Sequence, residues 1–311
     1  MNIQWFPGHM HKAIKEIKET LNKVDMFIEV LDARIPYSSQ NPVLEQVRGD
    51  KPGLKVLTKA DLADPKMTKL WLAHISENEK IASRAITMHR KGEVKKLTGV
   101  CRGLFSHKLD RLEPIRVMIV GIPNVGKSSL INALSGKTIA KTGNEPAVTK
   151  RQQRIELENN ILLLDTPGVL WPNIENRYSG LRLGVTGAIK DTAVHYDTLA
   201  YYAAELMLDL YPERLAERYK LDTMPEDNHG LIQAIAAYRG AIKTGGKIDI
   251  ERTCNIFIKD IRSGVLGGLT LENPDVISLE LAEMNAKKED KEAQKLAKKA
   301  ERKKRYLRNR K

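Results

Sequence analysis

Three short stretches carry residue types whose spacing matches phosphate and base chemistry. The first is G-x-x-x-x-G-K-S: Gly121, Gly126, Lys127 and Ser128. An apolar run from Ile115 to Val120 precedes it, and Leu130, Ile131 and Leu134 follow at helical spacing. Strand, glycine loop and helix in that order form a phosphate-binding loop, whose backbone N–H groups cradle phosphate oxygens at a helix N-terminus. Lys127 is placed to reach the outer phosphates, Ser128 to bind Mg²⁺, and Asn124, Val125 and Ser129 to complete the cradle. The second stretch is Asp165-Thr166-Pro167-Gly168, closing the apolar run ILLLD. Asp165 is the expected second Mg²⁺-site carboxylate and Gly168 a γ-phosphate neighbour. The third is Thr58-Lys59-Ala60-Asp61 at the end of another apolar run. A carboxylate at Asp61 accepts two hydrogen bonds from guanine's ring N–H and amine, while adenine leaves it unpaired. Lys59 is expected to lay its stem across the base.

Between the first two stretches lies a polar loop, 137–152, broken by Gly and Pro. Thr149 within it is placed to bind Mg²⁺ through its hydroxyl and to sense the γ-phosphate through its N–H, as an order–disorder switch. After Gly168 come Val169, Leu170 and Trp171. None has a side-chain amide to orient water, so slow intrinsic hydrolysis is expected, with help from elsewhere.

The elements that position these residues follow from periodicity. Strand-like runs at 24–31, 54–62, 81–88 and 115–120 alternate with helical patterns over 10–24, 43–48, 67–74 and 92–105. Asn41-Pro42 reads as the cap and first position of a helix. RIELE and ILLLD read as a hairpin closed by Asn159-Asn160. Alternation of this kind predicts an α/β fold, a doubly wound and mostly parallel sheet, over residues 1–173. From 174 to 280 only helical spacing remains, over 195–210, 230–240 and 248–264, which predicts an all-helical second domain. The order of motifs is unusual. TKAD precedes the P-loop, PAVTK and DTPG, which is a circular permutation of a P-loop GTPase domain; cuts in surface loops of such a sheet keep its core contacts.

Composition adds the partner class. The chain has 311 residues and a formal charge of +13, which points to a polyanion. Residues 281–311 hold 13 Lys/Arg against 5 Asp/Glu, a net of +8, and lack a continuous apolar face; they are expected to be a flexible basic tail. Cys101 and Cys254 match no metal or redox spacing, and no apolar run approaches membrane-spanning length. A cytoplasmic monomer is expected, with neither membrane nor DNA as partner.

The stretches WFPGHM (5–10), DARIP (32–36), TKADL (58–62), GIPNVGKSSLIN (121–132), PAVTK (146–150) and DTPGVLWP (165–172) together resemble the circularly permuted ribosome-assembly GTPases, the family of bacterial ribosome biogenesis GTPase A. The resemblance implies GTP hydrolysis with GTP/GDP and Mg²⁺, action on a late precursor of the large ribosomal subunit, and a helical domain that binds rRNA. It places His9 near the phosphates as a candidate for water activation, and matches Asn124 to an asparagine that helps hold K⁺. Three departures stand out. Thr58 replaces the usual Asn of the guanine motif, Thr87-Met88 stands where Ser-Ala makes a second base contact, and Ala147 replaces a switch glycine. Two alternatives stay open: a GTP-gated RNA-binding module with negligible turnover, and a GTPase acting on another structured RNA.

Overall fold

The computed structural model describes residues 8–105, 113–140, 153–189 and 194–308. The chain opens with helix α1 (Gly8–Thr20) and a short 3₁₀ turn, then strand β1 (Met26–Asp32) and helix α2 (Pro42–Arg48). Asn41 caps α2 as expected, its side chain accepting from the Val43 N–H at 3.0 Å. Strand β2 (Gly53–Thr58), helix α3 (Pro65–Ile75), strand β3 (Ile81–Ala85) and helix α4 (Lys91–Gly103) complete the first half-sheet. Strand β4 (Ile115–Gly121), helix α5 (Lys127–Ser135) and the hairpin β5 (Gln153–Leu157) and β6 (Ile161–Asp165) build the second.

The six strands lie in the order β3-β2-β1-β4-β6-β5. All neighbours are parallel except the β5–β6 hairpin. Strands β1, β2 and β4 are almost continuously buried, which is why they read as largely apolar runs rather than alternating ones; Glu29 of β1 and Lys55 of β2 interrupt two of them and face each other at 3.8 Å. The strand order runs outward in opposite directions from β1 and β4, so the carboxyl ends of that central pair flank a crevice where α/β sheets bind ligands. The hairpin forms as expected, but Leu157 pairs with Ile161, so its loop has three residues, Glu158 to Asn160, rather than two; Asn159 and Asn160 both adopt positive φ, 66° and 55°.

Beyond β6 every described element is helical: α6 (Arg177–Val185), α7 (Tyr196–Leu210), α8 (Pro212–Tyr219), α9 (Asn228–Arg239), α10 (Ile250–Ser263) and α11 (Pro274–Arg308). Helical spacing predicts α7, α9 and α10. It misses α6 because all but its first two residues are buried, so no polar face marks a period, and α8 because eight residues are too few to display one. The chain divides into two compact units, Met1–Glu272 and Asn273–Lys311. Within the first, residues 268–272 return to the loops after β1 and β2. The Leu269 N–H donates to Leu62 O and the Leu271 N–H to Arg34 O, both at 2.8 Å, and the Asp64 N–H donates to the Thr270 hydroxyl at 3.1 Å. In the second unit, α11 runs across position 280 without a break. The stretch 281–311, expected to be a flexible tail, is helical as far as Arg308. Its Ala, Leu, Glu and Lys content favours helix, while its lack of an apolar stripe leaves side chains such as Leu296 exposed.

Candidate nucleotide site

Strand β4 delivers Gly121 to the mouth of the crevice, and the chain turns through 122–126 into α5. The turn needs left-handed backbone at two places, Asn124 (φ 61°) and Gly126 (φ 92°). Gly126 is also the N-cap of α5, with no side chain capping the helix, so the first-turn N–H groups of Lys127, Ser128 and Ser129 form an anion cradle. Gly121 is glycine for a different reason: a Cβ there would lie 2.8 Å from the Val30 carbonyl of β1.

The DTPG segment is fastened to this loop. The Thr166 hydroxyl donates to Ile119 O at 2.9 Å and the Val169 N–H to Gly121 O at 3.1 Å. A Cβ on Gly168 would meet Pro123 backbone atoms at 3.2 Å. Lys127, 6% exposed, donates to Oδ1 of the fully buried Asp165. Burial draws the Lys127 ammonium below and the Asp165 carboxyl above its ordinary value, each opposed by the partner's charge. The other oxygen, Asp165 Oδ2, is buried with no hydrogen-bond partner among the described residues. An orphaned carboxylate oxygen beside an anion cradle fits a divalent cation, since such a group is costly unless satisfied. Ser128 and Asp165 would hold Mg²⁺, which would neutralise phosphate charge. Val169 and Leu170 are fully buried, so neither reaches a water molecule.

The base-reading loop leaves β2 beside the P-loop. Thr58, 0% exposed, donates its hydroxyl to Leu31 O at 2.9 Å and contacts Val125 O of the P-loop through the same group. The replacement of Asn by Thr therefore keeps a tie between the two loops. The Ala60 N–H donates to Ile86 O at 3.3 Å, which sets this loop next to the half-buried Thr87, while the adjacent Met88 packs on the core. Asp61 is exposed, in keeping with a carboxylate that meets an incoming base. Lys59 adopts φ 55° and donates its ammonium to Asp32 Oδ2 at 2.8 Å and Asn124 O at 2.7 Å.

Thus Thr58 and Asp165 at the ends of β2 and β6, Lys127, Ser128 and Ser129 in the first turn of α5, and Lys59, Asp61, Thr87, Asn124, Val125, Gly126 and Gly168 on the adjoining loops all belong to the segments that follow the carboxyl ends of the strands. His9 lies in the first turn of α1, with its side chain outside the described set, and Thr149 lies outside the described residues. Two contacts were not legible beforehand. Asn124 Nδ2 donates to Gly187 O, just past the C-terminus of α6, at 2.8 Å; nothing in the local sequence marks a contact across 63 positions. Asp32 and Arg34 pair beneath Lys59, and their only sequence signal is an acid and a base two residues apart after a strand. The buried thiols belong to no site: burial pushes Cys101 up to about 12 and Cys254 to about 11.

Comparison with known proteins agrees with this geometry. The family described as 50S ribosome-binding GTPase matches residues 116–217. Ribosome biogenesis GTPase A of Bacillus cereus is 45% identical over 88% of this chain and 95% of its own length. The chain belongs to the ribosome biogenesis GTPase A family. Mitochondrial ribosome-associated GTPase 1 of Xenopus tropicalis is 35% identical, covering 86% of this chain and 94% of that protein. Among solved structures, GDP-bound TM YlqF superposes with a TM-score of 0.61 at 27% identity, covering 84% of this chain and 99% of that one. As a member of this ribosome biogenesis family, the protein is a P-loop GTPase that binds GTP and GDP and hydrolyses GTP. Among the described residues no helix is long and apolar enough to cross a membrane.

Proposed function

We propose that this GTPase controls late assembly of the large ribosomal subunit in the cytoplasm, acting as a monomer. It binds precursor rRNA through the helices of residues 174–280 and the basic stretch 281–311, and is stimulated by the particle it serves. The observation that carries the reading is the hydrogen bond from the P-loop's Asn124 to Gly187 of the helical region. A residue of the phosphate loop is thereby tied to the elements assigned to RNA, so the two can sense one another. The relatives' names, which speak of ribosome biogenesis and ribosome association, and the net charge of +13 supply the partner.

In this reading Lys127 and the α5 N-terminus hold the phosphates, and Ser128, Thr149 and Asp165 serve Mg²⁺. Asp61 and Lys59 read guanine beside Thr87. His9 activates water in the complex, in place of the side chain missing after Gly168. Asn124 contributes to a K⁺ site that supplies the charge an arginine finger would bring.

The test is GTP hydrolysis at physiological K⁺ with and without purified large subunits, with ATP and small subunits as controls. Stimulation confined to GTP and the large subunit is expected, lower in Na⁺ than in K⁺ and lost in His9→Ala. GTP binding without any such stimulation would replace this reading with a nucleotide-gated RNA-binding module.

A further inference from the structure

One motif has no role in the nucleotide reading: Asp32-Ala33-Arg34-Ile35-Pro36, which leaves the carboxyl end of β1. Asp32 is 2% and Arg34 3% exposed. Asp32 Oδ1 accepts from the Arg34 N–H and Nε, each at 3.0 Å. Its Oδ2 accepts from Arg34 Nη2 and Lys59 Nζ, each at 2.8 Å. A fully buried carboxylate is costly unless charged donors surround it. Burial pushes Asp32 up, but the Arg34 guanidinium and the Lys59 ammonium override it and hold the carboxyl well below the usual range. The group stays ionised, and both its oxygens are committed.

Arg34 faces the other way as well. Its Nη2 lies 3.5 Å from Thr186 O and its Nη1 3.5 Å from Arg262 O. Arg262 in turn donates to Val185 O at 2.9 Å and Gly184 O at 2.7 Å. Together with Asn124 on Gly187 O, these donors gather on the last carbonyls of α6, the negative end of a helix. An ionic chain therefore runs from Lys59 through Asp32 and Arg34 to the end of α6.

The geometry points to Asp32 as a positioning residue for the guanine base, acting through Lys59, with Arg34 fixing the carboxylate and joining it to α6. The inference rests on the proposed role of Lys59 at the base. Lys59 sits at φ 55°, a backbone region that disfavours a long side chain. Two bonds to its ammonium hold it there. With the far end of the side chain pinned between Asp32 and Asn124 O, the methylene stem is laid out before a base arrives. A freely rotating lysine would lose that freedom on binding, a penalty that corresponds to about tenfold in affinity for one such side chain.

The experiment is a double-mutant cycle on the full chain, read by titration with fluorescent GDP and with the corresponding ADP as control. Asp32→Asn is expected to weaken GDP binding about tenfold, Lys59→Met to weaken it by a similar factor, and the double variant to bind within about twofold of Lys59→Met alone. Wild-type affinity in Asp32→Asn, or penalties that multiply in the double variant, would overturn the inference, because a residue with only a scaffold role acts independently of Lys59. Should Asp32→Asn fail to fold, Asp32→Glu keeps the charge, displaces the carboxylate by one methylene and closes the same cycle. If the wild-type chain shows no preference for GDP over ADP, it is the guanine reading that fails; a clear preference with multiplying penalties leaves that reading intact and removes only the role of Asp32.

Discussion

The chemistry of the site turns on which buried charges have partners. Asp165 gives one oxygen to Lys127, and the other has no hydrogen bond among the described residues. Asp165→Asn keeps the shape and removes the charge a cation needs. Single-turnover GTP hydrolysis is expected to fall about a hundredfold or more, with GDP affinity falling much less. Asp32 differs, because every lone pair is used in the free protein. Its folded value lies below the ordinary 3.8, so its contribution to stability is present above 3.8 and lost as pH falls through the folded value. Asp32→Asn leaves the buried Arg34 and the half-buried Lys59 without their counter-charge, at a cost of about 3 kcal/mol near neutral pH. Urea unfolding of the two proteins should show that gap narrowing as pH falls below the ordinary carboxylate range. Thr58 is a neutral case: Thr58→Val removes the hydroxyl that reaches Leu31 O and Val125 O and should cost about 1–3 kcal/mol in thermal unfolding.

The secondary elements place these groups by bringing backbone unusually close. The parallel pair β1–β4 is fixed where Gly121 lies against the Val30 carbonyl. Gly121→Ala would force the two strands apart at the mouth of the crevice and should cost about 1–3 kcal/mol. The β5–β6 hairpin offers the reverse experiment. Two of its three loop residues, Asn159 and Asn160, need left-handed backbone, and Asn159 also uses its amide, donating to the Thr98 hydroxyl at 3.0 Å. Asn160 accepts from the Ile115 N–H through its backbone carbonyl at 2.9 Å, and its side chain makes no hydrogen bond among the described residues. Asn160→Gly should raise stability by about 0.5 kcal/mol, since glycine meets no steric penalty at positive φ. A fall in melting temperature would show that the Asn160 side chain has a partner in solution.

Over the whole molecule the balance is set by charge. Of a net +13, a net +8 lies in residues 281–311, of which those up to Arg308 belong to helix α11. Neutralising rRNA phosphates with these side chains releases counterions, so affinity should fall steeply with salt. Deleting 281–311 should weaken binding to precursor subunits and flatten the plot of log affinity against log salt. An unchanged slope would make the stretch a solubility element. Within Met1–Glu272 the join between sheet and helices is itself polar and buried. Glu272, 2% exposed, accepts from the Tyr37 N–H at 2.7 Å and the Ser38 N–H at 3.0 Å. Ser38 also donates to Ser179 of α6 at 2.9 Å. An interface of this kind is directional, because each of these hydrogen bonds fixes the loop after β1 against a particular atom of Glu272 or of α6.

The sequence alone determined everything whose cause is local. The buried parallel strands follow from their apolar runs, the P-loop from its glycine and lysine spacing, the hairpin from Asn159-Asn160, the cap of α2 from Asn41-Pro42, and the permuted order from the succession of motifs. Its family resemblance was legible for the same reason, since a few invariant chemistries must sit at fixed spacings. Only the tertiary structure decided what Thr58 bonds to, that Lys127 pairs with one oxygen of Asp165 and leaves the other bare, and that Asp32, Arg34 and Asn124 link the nucleotide loops to the end of α6. Apart from the Asp32–Arg34 pair, those contacts join residues from 27 to 152 positions apart. Such distances carry no periodicity, and a buried charge announces its partner only when the chain has folded around it.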